Sequence, residues 1–146
     1  MGVSTDMAFT NPSAADIRVL LSHCRTIAVV GLSPKPNRPS YQVSQAMQGF
    51  GYRIIPVRPA VAEVLGATAY PDLYAIPTQI QIDLVDVFRA PEHVDPIVDA
   101  CIDRGIPAIW LQDGVINEAA ARRAADAGLT VIMDRCIYRD YLQLMA

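Results

Sequence analysis

The sequence has few cysteines and histidines and little net charge. Its three cysteines contain no C-x-x-C pair, and with only two histidines they predict neither a disulfide framework nor a metal site. A net charge of −3 argues against nucleic acid as a partner. No apolar run reaches the ~18 residues that span a bilayer, and residues 1–10 lack the features of a secretory signal. We therefore expect a cytoplasmic protein that binds neither metal nor membrane.

The remaining composition suits one globular domain. The chain has 146 residues, of which 52% are hydrophobic and 18% are charged. Residues 1–12 are polar and are predicted to form a loose N-terminal segment. No repeat or linker divides the rest of the chain, so the single domain is expected to span residues 13–146.

Short apolar runs alternate with amphipathic segments along this domain. The patterns predict strands at residues 26–31, 52–57, 82–88, 108–112 and 130–134, and helices at 12–24, 40–51, 91–105, 117–128 and 136–145. Residues 58–81 are predicted to be irregular, with short helical turns at 60–66 and 71–76. Continuous apolar strands between helices indicate an α/β fold with a doubly wound, mainly parallel five-stranded sheet and helices on both faces. Such sheets bind ligands beyond the carboxyl ends of their strands.

Basic residues cluster just after the predicted strands. Six of the 12 Lys and Arg residues lie there, namely Lys35, Arg38, Arg58, Arg89, Arg135 and Arg139. In an acidic protein, this placement predicts that the carboxyl edge of the sheet binds an anion. The alternative is that they are ordinary polar loop residues, with Arg89 paired to Asp83 or Asp86.

The first strand leads into VVGLSPKPNRPS, residues 29–40, which begins like a phosphate-binding loop. Gly31 permits a tight turn or a close ligand, and Ser33 offers a hydroxyl and backbone N–H groups. Three prolines stiffen the loop, and the helix that begins at Pro39 or Ser40 presents an N-terminus that favours an anion. A proline-rich surface connection without a ligand is the alternative interpretation.

The end of the second strand separates the candidate nucleotides. Binding of NAD requires a second glycine in the first loop and an acidic residue at this strand end, where Arg58 stands instead. An arginine at this position suits a phosphorylated ribose. The ligand is then NADP, through its 2′-phosphate, or coenzyme A, through its 3′-phosphate, and charge alone does not decide between them.

Several blocks of the chain resemble a known family, in the same order: VVGLSPKPNRPSYQV, GYRIIPVRP, YPDLYAIP, IDLVDVFR and IWLQDGVINEAAARRAADAGLTVIMDRCI. They are similar to the small bacterial and archaeal coenzyme A-binding proteins, which are single-domain relatives of the CoA-binding domain of the succinyl-CoA synthetase α-chain. The resemblance runs from residue 14 to residue 142. It implies a Rossmann-like fold that binds CoA or acyl-CoA at the carboxyl edge of the sheet.

The resemblance also implies a set of site residues by position. The phosphate loop would comprise Gly31, Leu32, Ser33, Lys35, Arg38, Pro39 and Ser40. The adenosine end would be bordered by Val57, Arg58 and Pro59, and the adenine or pantetheine side by Phe88 and Arg89. The cleft would be lined by Trp110, Gln112, Gly114 and Cys136, although Trp110 by itself is better explained as a core residue.

Two positions depart from the family pattern. Val-Arg-Pro stands where the family has Val-Asn-Pro. Arg58 is therefore expected either to bind the 3′-phosphate more strongly or to alter the ligand preference. Asp113 stands where the family has an apolar residue, and we expect its carboxylate to face outward, away from a bound phosphate.

The sequence reveals no positioned acid, base and nucleophile. We therefore expect a non-catalytic carrier, sensor or regulatory protein, while an enzymatic role stays open. Cys136 is a candidate for a mixed disulfide with the CoA thiol. Two other functions are kept as alternatives, an NADP-binding domain of an oxidoreductase and a protein interaction module without a ligand. The tyrosines near the C-terminus leave a homodimer open.

Overall fold

The structure, a computed structural model, describes residues 9–145. The helices in this range are α1 (Ala14–His23), α2 (Pro39–Gly49), α3 (Val94–Arg104), α4 (Glu118–Asp126) and α5 (Ile137–Leu144). The strands are β1 (Thr26–Val30), β2 (Arg53–Val57), β3 (Glu63–Val64), β4 (Ala67–Thr68), β5 (Leu84–Val87), β6 (Ala108–Leu111) and β7 (Thr130–Met133). Short 3-10 turns lie at Leu73–Ala75 and Pro91–His93, so the helix predicted over residues 91–105 begins as a 3-10 turn.

One parallel sheet organises the molecule, with the strand order β2-β1-β5-β6-β7. The chain runs from β1 outward to β2, returns to β5 and then continues in the opposite direction through β6 to β7. The order therefore reverses between β1 and β5, and ligands of doubly wound sheets bind at such a switch point. The predicted Rossmann-like α/β fold is confirmed.

The side chains of the central strands alternate between two buried layers. On one face of the sheet, Val85 packs with Val98 of α3 and with the alanines of α4. On the other face, Leu84 packs with Met47 of α2 and Ile137 of α5. Because both faces are covered, the strands have continuous apolar sequences rather than alternating ones.

The predicted helical turn at residues 60–66 is wrong. Two-stranded pairing of β3 with β4 occupies this stretch instead. Leu65 and Gly66 connect the two strands with φ angles of 54° and 75°. Positive φ at both central residues is the geometry of a tight hairpin turn and is incompatible with a right-handed helix. The predicted turn at residues 71–76 is confirmed as the 3-10 turn Leu73–Ala75.

The described part of the N-terminal segment makes hydrogen bonds to the domain. Asn11 donates through Nδ2 to the carbonyl of Met133 at 3.0 Å and accepts from the Met133 N–H at 2.8 Å. The N–H of Phe9 donates to the Glu118 carboxylate at 3.1 Å. The Asn11 side chain thereby pairs with the backbone at the end of β7, which is an edge strand, while Phe9 contacts the start of α4. Residues 1–8 lie outside the described residues.

Asp83 has a structural role at the opposite end of the sheet from the predicted site. Its Oδ2 accepts hydrogen bonds from the N–H groups of Arg25 and Thr26, each at 2.9 Å. The carboxylate thereby satisfies the backbone where β1 begins. It forms no ion pair with Arg89 among the described residues.

Candidate functional site

A cleft of about 950 Å³ lies along the carboxyl edge of the sheet. Its size falls within the ~300–1,000 Å³ range of small-molecule and cofactor sites. The cleft brings together most of the predicted site residues, namely Gly31, Ser33, Lys35, Arg38, Pro39, Ser40, Arg58, Pro59, Phe88, Arg89, Gln112 and Cys136. Since these residues follow all five strands of the main sheet, the fold itself assembles the cleft.

Gly31 lies directly after β1, where the first loop passes close to the end of β5. Its φ is 89°, and a Cβ atom at this position would lie 2.3 Å from the carbonyl oxygen of Phe88. The Gly31 N–H donates to the carbonyl of Val57 at 2.9 Å, which ties the loop to the end of β2. Any side chain here would push the first loop away from β5, so the backbone geometry of the cleft requires glycine.

Internal hydrogen bonds hold the first loop in shape. The Ser33 N–H donates to Oγ of Ser40 at 3.0 Å, and the Lys35 N–H donates to Oγ of Ser33 at 3.1 Å. Both N–H groups are therefore already used, contrary to the prediction that Ser33 offers its backbone to a phosphate. The N–H groups of Ser40 and Tyr41, at the start of α2, have no acceptor within residues 9–145. They are the backbone donors that this helix N-terminus presents to an anion.

Four cations of the cleft form no ion pair among the described residues: Lys35, Arg38, Arg58 and Arg89. Lys35 and Arg38 are exposed, and Arg58 and Arg89 are half-buried. The guanidinium of Arg58 approaches the Gly31 carbonyl at 3.4 Å. All four residues follow β1, β2 or β5, and they make this end of the cleft positively charged.

The two arginines that follow β7 are neutralised by carboxylates. Arg135 binds Asp140 through two hydrogen bonds of 2.6 and 2.8 Å, and Asp140 is buried. Arg139 binds Asp113 at 2.8 and 3.1 Å. Asp113 borders the cleft, but its side chain is 54% exposed and its carboxylate binds Arg139, which offsets its charge. Of the predicted cation cluster, only the part near β1, β2 and β5 is available to an anion.

A buried polar pair lies beneath the cleft between β5 and β6. Gln112 donates through Nε2 to Oδ1 of Asp86 at 2.7 Å, and the two residues are 3% and 1% exposed. Asp86 lies beside Val29 on one neighbouring strand and Trp110 on the other. Desolvation by this apolar surrounding raises the pKa of Asp86 to about 7, although the hydrogen bond from Gln112 opposes the shift.

A second cleft, of about 710 Å³, opens on the α3 side of the same edge. It shares Gly31, Arg58, Pro59 and Arg89 with the first cleft, so the two meet at the switch point. Its other walls are mainly apolar and come from Val57, Pro71, Leu73, Tyr74, Pro96 and Ile97, with Asp72 and His93 as further polar members. The segment after β4 is held in place because Arg104 donates to the carbonyls of Leu73 and Ile76 at 2.5 and 2.9 Å.

Some predicted residues lie outside the first cleft. Leu32 and Trp110 are each 0% exposed and belong to the core beneath it. Val57 lines the second cleft instead, and Gly114 lines neither of them. The preference for Trp110 as a core residue agrees with this burial.

Sequence reasoning missed several cleft residues: Pro34, Val43, Ala60, Val61, Val115 and the buried Asp86 beneath them. Val43 follows Pro39 by four residues, so the helical repeat places both on one face of α2, and this signal was available. Nothing in the sequence distinguishes Asp86 from Asp83, because both are acids in one apolar segment.

Neither a metal site nor a membrane span is found in the described part of the chain. Among residues 9–145 no three His, Cys, Asp or Glu side chains converge to hold a metal ion. None of the helices in that range is long and apolar enough to cross a bilayer. Cys136 is half-buried at the N-terminus of α5 and lines the cleft.

Comparisons with known proteins agree with this geometry. The sequence profile described as "CoA binding domain" matches residues 25–141. The chain is 44% identical over 127 residues to the uncharacterized protein YneT of Bacillus subtilis strain 168, which covers 87% of this chain and 93% of the relative. A hypothetical protein from Pyrococcus horikoshii OT3 has a TM-score of 0.88 and 35% identity, with 96% of this chain and 100% of that chain covered.

A larger enzyme shares the fold. The dinucleotide-forming acetyl-coenzyme A synthetase 1 of Ca. Korarchaeum cryptofilum matches with a TM-score of 0.63 and 23% identity. The match covers 73% of this chain and 25% of the synthetase. At this level of identity, the likeness indicates a common fold and nothing more.

Proposed function

The chain belongs to the family of CoA binding domains, and we propose that it binds coenzyme A or an acyl-CoA along the carboxyl edge of its sheet. The observation that supports this proposal most strongly is the group of four cations without ion pairs around the switch point, at Lys35, Arg38, Arg58 and Arg89. A ligand with several phosphates would supply the negative charge that balances these cations.

The strand order favours a ligand that is charged at one end and neutral at the other. Along the edge, the first loop and Arg58 lie at the β1 and β2 end, and Gln112 and Cys136 follow β6 and β7. Four strand spacings of ~4.8 Å make this edge ~19 Å long. Coenzyme A is an extended molecule in which a pyrophosphate and a 3′-phosphate lie on one side and an uncharged pantetheine arm on the other. Its polarity matches that of the edge.

We assign the parts of the ligand accordingly. The pyrophosphate lies against the first loop and the start of α2, where Ser40 and Tyr41 offer N–H donors. The adenosine occupies the cleft on the α3 side, and its 3′-phosphate lies near Arg58 and Arg89, which both clefts share. The pantetheine arm then runs over Phe88 toward Cys136.

This arrangement supports a carrier, sensor or regulatory role rather than a catalytic one. The groups around the proposed phosphates are donors and cations that bind, and no nucleophile lies next to a base among the described cleft residues. NADP is the second candidate, because Arg58 suits its 2′-phosphate equally well.

Calorimetry with CoA, dephospho-CoA, NADP and NAD tests the proposal. We expect CoA to bind most tightly of the four. The Arg58→Ala variant should weaken CoA about tenfold or more, since hydrogen bonds to charged groups contribute ~1.5–3 kcal/mol. Its affinity for dephospho-CoA, which lacks the 3′-phosphate, should stay nearly unchanged.

The control is Arg53→Ala, because Arg53 is exposed at the other end of the same strand and should affect no ligand. Tight NADP binding without CoA binding would contradict the proposal in favour of an oxidoreductase domain. If none of the four ligands binds, the remaining hypothesis is a protein interaction module without a ligand.

A further inference from the structure

One wall of the cleft contains the amide of Gln112, whose oxygen receives no hydrogen bond from the described residues. Gln112 is 3% exposed, and its Nε2 is committed to Asp86 at 2.7 Å. No group within residues 9–145 donates a hydrogen bond to its Oε1, although the side chain lines the cleft. Among residues 9–145, Oγ of Ser44 is the only buried side-chain nitrogen or oxygen without a hydrogen-bond partner, so Oε1 of Gln112 reaches water through the cleft. A ligand that covers this oxygen without donating a hydrogen bond to it leaves the acceptor unpaired, which is unfavourable. The Gln112 oxygen is therefore a specific acceptor for a ligand that brings a donor.

Asp86 determines which end of the amide is presented. At pH 8, above the Asp86 pKa of about 7, the ionised carboxylate only accepts hydrogen bonds, so it binds the NH2 group of Gln112 and turns the oxygen the other way. The carboxylate itself cannot move away, because it is 1% exposed on the central strand β5, between Val29 and Trp110. Asp86 does not line the cleft and acts only through Gln112.

The position of Gln112 along the edge indicates which part of the ligand it meets. Gln112 follows β6, beyond the unpaired cations at β1, β2 and β5 and next to Val115. Phosphate oxygens are acceptors and gain nothing from another acceptor. The pantetheine arm has two amide N–H donors and no charge, so it is the part of coenzyme A that complements this oxygen.

Resting on the proposed function, we propose that Oε1 of Gln112 accepts a hydrogen bond from an amide N–H of the pantetheine arm, and that Asp86 is the positioning residue that orients Gln112 for it. The pair selects against nucleotides without such a donor at this place. A site built around a buried hydrogen-bonding group discriminates strongly, because a ligand without the complementary group leaves it unpaired.

Calorimetry at pH 8 with three ligands tests the assignment of Gln112. CoA and dephospho-CoA both contain the pantetheine arm, whereas adenosine 3′,5′-bisphosphate lacks it. We expect Gln112→Met, which keeps the length of the side chain, to weaken CoA and dephospho-CoA about tenfold. It should leave the affinity for the bisphosphate unchanged. The control is Gln79→Met, on the exposed surface away from both clefts, which should change none of the three affinities.

Two results would overturn the assignment while leaving the proposed function intact: unchanged CoA binding by Gln112→Met, or an equal loss for CoA and the bisphosphate. If the parent protein binds neither CoA nor dephospho-CoA, the proposed function itself fails. The parent titrations therefore separate the two failures.

A double-variant comparison tests the positioning role of Asp86. Asp86→Leu should weaken CoA severalfold but cause no further loss when combined with Gln112→Met, because both changes remove the same contact. A loss of equal size in both backgrounds would assign Asp86 a purely structural role.

Should Asp86→Leu fail to fold, Asp86→Asn keeps the side-chain volume. Its amide allows either orientation of Gln112, so CoA should weaken about twofold in the parent background only, and an equal effect with Gln112→Met present would again overturn the role.

Discussion

The two ends of the carboxyl edge both contain arginines but use them differently. At the β1, β2 and β5 end, Lys35, Arg38, Arg58 and Arg89 have no carboxylate partner among the described residues. At the β7 end, Arg135 and Arg139 are each bound bidentately by an aspartate. This difference means that the number of cations near a sheet edge is not enough to predict where an anion binds. The cations that matter are those that the protein leaves unpaired.

The largest expected difference is in the stability loss caused by replacing Gly31, after β1, or Gly114, after β6. Gly31 and Gly114 both have positive φ, but a Cβ at Gly31 would collide with the Phe88 carbonyl at 2.3 Å, whereas nothing lies within 4 Å at Gly114. Gly31→Ala should therefore lower the free energy of unfolding by about 3 kcal/mol or more, through strain and overpacking. Gly114→Ala should lower the free energy of unfolding by only ~1 kcal/mol, through the backbone strain of a positive φ. Urea unfolding measures both, and equal losses would refute the close approach at the switch point.

Asp86, the buried acid on β5 beneath the cleft, predicts a specific dependence of stability on pH. The pKa of Asp86 rises from its ordinary value of 3.8 to about 7 on folding. Between these values the folded state holds a proton that the unfolded state has lost, so this group makes the protein less stable as pH rises from about 4 to 7. The change is about 1.4 kcal/mol for each unit of the pKa shift.

Asp86→Asn removes this titration and should make the protein more stable than the parent at pH 8, while at pH 4 the two should be nearly equal. Urea unfolding of both proteins at the two pH values gives the comparison. Asp113→Asn, at an exposed position in the next loop, is the control that should not reproduce the effect. A parent–variant difference that is the same at both pH values would mean that Asp86 is not a desolvated acid.

Removing one arginine from each end gives a smaller but more specific effect. Arg89→Ala should weaken CoA about tenfold because it removes an unpaired cation beside the proposed phosphates. Arg139→Ala should change CoA affinity less than about twofold and leave stability nearly unchanged, since its ion pair with Asp113 is solvent-exposed. Isothermal titration of the two variants makes the comparison. Equal losses of affinity would mean that the ligand contacts both ends through charge.

The sequence predicted the parts of the site that follow from strand ends. Gly31, Arg58 and Arg89 each stand directly after an apolar run, and parallel strands bring such positions to one edge. The pairing of Arg139 with Asp113 was not predictable in this way, because the two residues are 26 positions apart and meet only through the packing of α5 beside β6 and β7. The hairpin at residues 63–68 was missed because Leu65, a residue that rarely adopts positive φ, forms its turn with Gly66.

The contact between Asp86 and Gln112 was missed for a similar reason. Each residue is unremarkable in its own segment, and their distance of 2.7 Å depends on β5 and β6 being neighbours in the sheet. The alternation of side chains along a strand predicts which positions are buried, but it does not predict which polar side chains form hydrogen bonds across neighbouring strands.

A crystal structure of the protein with bound coenzyme A tests the polarity of the edge most directly. We predict that the pyrophosphate lies against residues 31–40 with the 3′-phosphate near Arg58, and that the thiol lies at the β7 end near Cys136. The opposite orientation, with phosphates at Arg135 and Arg139 and the thiol at the β2 end, would contradict the central claim that unpaired cations locate the phosphate site.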